Sequence, residues 1–235
     1  IFSKVGCSIM SHAPLREGTP MPFFITHWIN LLSMLFLTLS GFYIHFPLFG
    51  GFMGWARGTH FFWMFVVLIN LVVRIIMAFF VKSANQLESR HKEADIKNWL
   101  PQPENRHQFW PCVKYYLFFK KDYIISAKYA PLQKMAYLMV PVLILLAGYT
   151  GFCLWPVTQN FAFFQAGINT IANWFDPGFG GGALMPVRIV HYWIMWGILC
   201  FTMIHVYLAN VYSFAPSKVV LAWIEDPHAP VKEEA

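Results

Sequence analysis

Four histidines stand where histidine is costly. The stretch "VRIVHYWIMWGILCFTMIHVYLA", residues 187–209, is apolar almost throughout, yet it carries His191 and His205. Imidazole in such a setting needs a partner. The two are fourteen residues apart, nearly four helical turns, so on a helix they share a face within about 40° and lie about 21 Å apart along the axis. His27 opens a second apolar stretch and His60 a third. With the chain running alternately up and down, depth pairs His27 with His205 and His60 with His191. A closed zinc site normally takes four protein ligands, and no Cys, Asp or Glu stands near these depths. Two imidazoles alone suit a haem, whose macrocycle supplies the other four iron ligands. The expectation is two haems, one for each pair.

The neighbours of these histidines fit the same chemistry. Arg57 lies three residues before His60, and Arg188 three before His191. On a helix each is one turn from its histidine, toward the water. Haem propionates are anionic and pair with arginine; the alternative is that both side chains snorkel at the interface. Arg74 follows His60 by fourteen residues, nearly on its face and at the depth of the other pair. An arginine there needs an anion, and a propionate of the inner haem is the expected one. Gly41 bears the same relation to His27. Its missing side chain leaves room for a flat ring, or simply for helix packing. His45 is the rival to His60, but it adjoins Phe46-Pro47, where a helix should end. His12, His91, His107 and His228 fall in polar segments and are expected to face solvent.

The elements that hold these residues must be membrane helices. The chain is 57% hydrophobic and 12% charged, against about 25% charged in ordinary soluble domains. Four stretches, 23–45, 59–81, 132–155 and 187–212, meet the requirement of about 20 mostly apolar residues. In lipid each must satisfy its own backbone, hence helix. The expected fold is an all-α membrane protein, a four-transmembrane-helix bundle over 23–212, between a segment 1–22 and a tail 213–235. Pro141 is expected to kink the third span. Lysines and arginines crowd the segment before span 1, the 82–131 loop and the tail, whereas the opposite side has only Arg57 and Arg188. The positive-inside rule then puts both termini and the 82–131 loop in the cytoplasm, and the 156–186 loop outside. The net charge of +6 is not gathered into a basic stripe, which argues against nucleic-acid binding.

The two long loops carry their own patterns. The 82–131 loop is too long for a mere connector. Its part "FWPCVKYYLFFKKDYI" reads either as a helix at the membrane surface or as a basic surface loop. In the 156–186 loop, "FAFFQAGINTIANWF" is expected to pack on the outer surface or a partner. The following "GFGGGA" lacks the G-K-[ST] of a phosphate loop. The four cysteines form no C-x-x-C pair and no C-x-x-C-H motif. Cys153 and Cys200 are expected in the core.

The stretches "THWINLLSMLFLTLSGFYIHFP", "MGWARGTHFFWMFVVLINLVVRIIMAFF", "APLQKMAYLMV" and "PVRIVHYWIMWGILCFTMIHVYLA" resemble the four spans of the dihaem cytochrome b subunit of membrane-bound nickel–iron hydrogenases. More broadly they are similar to the formate dehydrogenase gamma subunit and the thiosulfate reductase cytochrome b. The end of span 2, "RIIMAFF", and "KYYLFFKK" favour the hydrogenase branch. The resemblance implies two b-type haems, on His60 and His191 at the outer side and on His27 and His205 at the inner side. It implies an iron–sulfur small subunit and a catalytic large subunit as partners. Electrons from H₂ would pass through both haems to a quinone, menaquinone or ubiquinone, near the cytoplasmic face of a bacterial or archaeal inner membrane. Tyr115, Tyr116, Tyr129 and Asp122 are the candidate quinone contacts. This subunit would hold no hydrogenase centre, since it has no C-x-x-C pairs for nickel. The rivals are the same wire serving formate or a sulfur compound, a transporter or proton channel using the histidines as a relay, and a plain anchor. The last two predict no bound haem.

Overall fold

The computed structural model describes residues 19–84, 92–99, 107–120, 131–175, 182–210 and 214–224. It is mostly helical. Helix α1 covers Met21–His45 and α2 Met53–Phe80. An antiparallel two-stranded ribbon follows, β1 (Lys82–Ala84) on β2 (Lys92–Ala94), with Ser83 opposite Glu93. Then come α3 (Ile96–Trp99), α4 (Phe109–Tyr116), α5 (Pro131–Leu154), α6 (Ala162–Ala172), α7 (Leu184–Asn210) and α8 (Ala215–Ala222).

Three helices, α1, α2 and α7, are long and apolar enough to cross a membrane. In α5 the apolar part is Leu138–Leu154, and the helix runs through Pro141 over its 24 residues. Proline there removes one backbone donor from the ladder. Helix α2 starts at Met53 rather than near 59, because "MGWARGT" offers no helix breaker beyond its glycines. Arg57 is thus in the same helix as His60.

These helices turn large apolar side chains outward. Leu35 and Leu39 of α1, Ile69 and Ile76 of α2, Leu145 of α5 and Met203 of α7 are all exposed. A soluble monomer rarely shows so much contiguous apolar surface, and lipid is the solvent that suits it. Cys153 is fully buried, as its surroundings foretold, but Cys200 is exposed. An apolar stretch in a membrane helix has a lipid-facing side as well as a core side, so hydrophobic neighbours alone do not put a cysteine inside.

The chain divides into two compact units. One comprises 1–27, 74–135 and 208–235; the other comprises 28–73 and 136–207. In the second, Val67, Leu71 and Ile144 form a core with Met34, Leu37, Leu68 and Val140 around them. Gly148 lets α5 approach α2 closely, for a Cβ there would stand 3.1 Å from Leu68. A further core joins Cys153, Ile168, Ile171 and Val187. It carries α6, the aromatic part of the 156–186 loop, which packs on the chain itself.

In the first unit the 82–131 loop proves structured at its described positions. Helix α4 buries Cys112 and Tyr116 against Leu132 and Leu208, while Trp110, Leu117, Phe118 and Phe119 are exposed. One buried edge and one exposed aromatic edge suit the surface helix expected here. Helix α8 closes on Trp223 in the left-handed region, φ 56°, and that ring meets Phe24 edge-on at 5.3 Å.

Candidate cofactor site

Within the second unit α2 and α7 bring His60 and His191 together. Their ring centroids are 6.3 Å apart, with the planes inclined at 66°. Each ring is held by a hydroxyl from another helix. Ser40 Oγ of α1 lies 2.9 Å from His60 Nδ1, and Thr150 Oγ1 of α5 lies 2.8 Å from His191 Nδ1.

The direction of these bonds follows from counting protons. A hydroxyl has one proton to give. Ser40 Oγ donates to the Phe36 carbonyl at 2.6 Å, and Thr150 Oγ1 to the Leu146 carbonyl at 2.8 Å. A carbonyl only accepts, so both hydroxyls have spent their proton on the backbone. Each must therefore accept from Nδ1–H. Both imidazoles are then neutral Nδ1–H tautomers, with the lone pair on Nε2, the arrangement a metal ligand requires.

Glycines complete the cradle. A Cβ on Gly41 would stand 3.4 Å from His60 Cε1, and one on Gly151 would stand 3.7 Å from His191 Cε1. Gly41 is thus close to a candidate ligand's imidazole ring. Helices α1 and α5 repeat one device, hydroxyl then glycine: Ser40-Gly41 against His60, Thr150-Gly151 against His191.

The pair fits a bis-imidazole iron. A centroid separation of 6.3 Å leaves space between the two rings for one metal ion at a metal–nitrogen length of about 2.0 Å. Among the described residues no group of three or more His, Cys, Asp or Glu gathers as a metal site. Two protein ligands are what a haem needs and fewer than a closed zinc site takes.

Other expected residues fall in various places. Arg57 and Arg188 are exposed, near the starts of α2 and α7, and neither forms an ion pair among the described residues. His45 stacks on Tyr192 at 4.4 Å, and it is His60 that pairs with His191. His27 belongs to the first unit and His205 to the second; His205 stacks on Phe201 of its own helix at 6.0 Å. Tyr116 is buried in the α4 core, and Tyr115 meets it edge-on at 5.5 Å. Tyr129 and Asp122 lie outside the described residues.

Arg74 has an anion within the chain. Its Nη2 is 2.7 Å from Asp95 Oδ2, in an ion pair whose carboxylate is fully buried. The guanidinium lies 4.0 Å over the Phe23 ring and 5.1 Å from Trp99. Asp95 also accepts from Trp99 Nε1 at 2.9 Å and Ser83 Oγ at 3.2 Å. An anion that a half-buried arginine demands is supplied by the chain itself. The ribbon β1–β2 carries Asp95 back to α2, a return that spacing along one helix cannot reveal. Ser40, Thr150, Gly151 and Asp95 all escaped the reading by depth. The repeated "SG" and "TG" at matching positions of the expected spans 1 and 3 was the signal available for the first three.

The chain is similar to several named bacterial proteins. It is 27% identical over 205 residues to the probable Ni/Fe-hydrogenase B-type cytochrome subunit of Bradyrhizobium diazoefficiens, covering 80% of this chain and 75% of that one. It is 29% identical over 213 residues to the protein of that name from Azotobacter chroococcum, covering 84% and 78%. It is 28% identical over 217 residues to the probable Ni/Fe-hydrogenase 1 B-type cytochrome subunit of Escherichia coli, covering 86% and 83%. The resemblance carried by the four apolar stretches is thereby borne out. Residues 18–224 match the family described as prokaryotic cytochrome b561, and the chain belongs to that family.

Proposed function

We propose that this chain is the membrane electron-transfer subunit of a nickel–iron hydrogenase complex, passing electrons through two b haems to a quinone. Four spans carry it, with α5 as the third in chain order. The outer haem is held by His60 and His191, the inner one by His27 and His205, paired by depth. Arg57 and Arg188, one turn from the outer pair, attract its propionates. Both termini and the 82–131 segment face the cytoplasm of a bacterial or archaeal inner membrane. The chain is a subunit of an oxidoreductase, without the hydrogen-splitting centre, and it works with an iron–sulfur subunit and a catalytic large subunit.

The observation that carries this reading is the facing pair His60 and His191, each with Nδ1 committed to a hydroxyl. A proton relay would use such rings poorly. Each Nδ1–H is spent on an oxygen whose own proton is tied to a backbone carbonyl. The haem when bound supplies one-electron redox chemistry, and the protein supplies position and environment. The chain's own residues fix the two rings, keep the site apolar and set its distance from the partner surface. At the cytoplasmic end Tyr115, half-buried on α4, is the better quinone contact, since Tyr116 is taken by core packing. Tyr129 and Asp122 remain candidates on sequence alone.

The test is a dithionite-reduced minus oxidised spectrum of the purified complex, with haem counted per chain. Two b haems are expected, one of which is lost in His191→Ala and one in His205→Ala. A folded, haem-supplied preparation containing none would return the histidines to a relay or packing role. Reduction of both haems by H₂ alone would tie the wire to its donor.

A further inference from the structure

We propose that Ser40 and Thr150 are positioning residues for the outer haem, setting tautomer, ring orientation and donor strength of His60 and His191. The inference rests on the reading that these two histidines hold a haem, and it concerns residues that hydrogen-bond their rings rather than the iron.

The physical ground is the pair of bonds already described. A ligating histidine commonly donates its second ring N–H to an acceptor, which fixes the tautomer and raises the basicity of the ligating nitrogen. Here the acceptor is a hydroxyl in both cases, at 2.9 and 2.8 Å. Neither hydroxyl is free to turn round. Ser40 Oγ donates at 2.6 Å to Phe36 and lies 3.2 Å from the Leu37 carbonyl. Thr150 Oγ1 donates at 2.8 Å to Leu146 and lies 3.1 Å from the Ala147 carbonyl. Donation into a backbone carbonyl makes the hydroxyl oxygen a better acceptor, because hydrogen bonds in a chain polarise one another. Both oxygens are shielded, with Ser40 5% and Thr150 2% exposed, so water does not replace them easily.

The arrangement also divides labour among helices. Helices α2 and α7 present the rings; α1 and α5 present the hydroxyls. Glycine follows each hydroxyl, and the Cβ distances to the imidazoles, 3.4 and 3.7 Å, show that the rings lie beside the same helix faces that hold them. Each imidazole is thus set by a bond at Nδ1 and by a surface at Cε1. Weakening the bond leaves the surface intact. The hydroxyl's effect should therefore show in the electronic state of the haem before it shows in folding.

The experiment uses the full complex in membranes or detergent, with Ser40→Ala, Ser40→Thr, Thr150→Val, Thr150→Ser and His60→Ala. Haem per chain, the midpoint potential of each haem by redox titration, and low-temperature EPR of the oxidised protein are read on all. Removing an acceptor from Nδ1–H makes the imidazole a weaker donor to ferric iron. Ser40→Ala and Thr150→Val should therefore raise the midpoint of one and the same haem, by about a tenfold change in its oxidised-to-reduced ratio at fixed potential, as befits the loss of such a partner. That haem's EPR signal should shift, while the other haem is untouched. Ser40→Thr and Thr150→Ser should restore both properties. Should a variant lose the outer haem altogether, restoration by the hydroxyl-bearing variant supports the proposal, and failure to restore it counts against, since packing would then be what the site needs. Unchanged midpoints and EPR in Ser40→Ala and Thr150→Val, with both haems retained, would overturn it. His60→Ala separates the two levels: two haems still bound in that variant sink the haem assignment itself, whereas one haem lost there with Ser40→Ala silent sinks only the positioning role.

Discussion

Helix α2 carries two half-buried polar groups fourteen residues apart, and the molecule treats them in opposite ways. His60 is a neutral ring, bonded through one nitrogen to Ser40 and facing a second such ring, His191. Arg74 is a charge, matched by Asp95 and enclosed by Phe23 and Trp99. At His60 the surrounding bonds orient a group and leave it a lone pair. At Arg74 they cancel a charge. The sequence presents the two alike, as polar residues in an apolar helix. What separates them is the chemistry of the partners: hydroxyls that accept at the first, a carboxylate that neutralises at the second. A buried polar residue therefore points to a ligand only after its partners within the chain have been named.

The sharpest way to break this comparison is at Asp95. Removing one member of a buried ion pair strands the other, at a cost of about 3 kcal/mol or more. Asp95→Ala should lower stability by that amount, read as thermal unfolding of the detergent-solubilised protein, without moving the spectrum of the haem proposed at His60. The double variant Arg74→Met with Asp95→Leu should recover most of the loss, because a packed apolar pair can replace a buried ion pair. A stable Asp95→Ala protein lacking one haem signal would show instead that the Arg74 cluster serves a cofactor.

How far the sequence could be read follows from the same contrast. The helices were legible because each satisfies its backbone locally, and the start of α1 and the end of α5 fall within two residues of expectation. The facing of His60 and His191 was legible because depth in an alternating bundle is a one-dimensional quantity. Asp95 was not, because its approach to Arg74 depends on the β1–β2 ribbon reversing the chain. Ser40 and Thr150 were legible only as the first residues of the repeated "SG" and "TG". Serine and threonine in a membrane helix ordinarily bond their own i−4 carbonyl, as these two also do. Nothing in that habit tells which of them has a histidine above it. Thr202 bonds its own helix at Ile198 in the same way.

A smaller effect tests whether the helix carrying Thr150 is itself braced. Helix α6 lies against α5 at Gly167, where a Cβ would collide with the Tyr149 ring. Tyr149 donates to the Phe163 carbonyl at 3.1 Å and immediately precedes Thr150. Gly167→Ala should cost about 1–3 kcal/mol by overpacking, measured by thermal unfolding. Because the displaced segment carries the hydroxyl bonded to His191, the EPR signal of the haem proposed there should broaden as well. A loss of stability with the signal unchanged would mean that the Thr150–His191 bond is held by α5 and α7 without help from α6.

The smallest effect belongs to a third polar pair on α2, which serves as the control between the other two. Asn70 Nδ2 donates to Asn30 Oδ1 at 2.7 Å. Both side chains are amides, so neither a charge nor a metal-ligating lone pair is at stake. Interhelical hydrogen bonds of this kind in membrane proteins contribute about 0.6 kcal/mol on average. Asn30→Leu should cost about that, by the same unfolding measurement, and should leave the midpoints of the proposed haems in place. If it shifted a midpoint as far as Ser40→Ala does, the response would reflect how α1 packs on α2 in general. The distinction drawn between the hydroxyl at His60 and the other polar contacts of the helix would then lose its basis, since any loosened pair on α2 would move the ring.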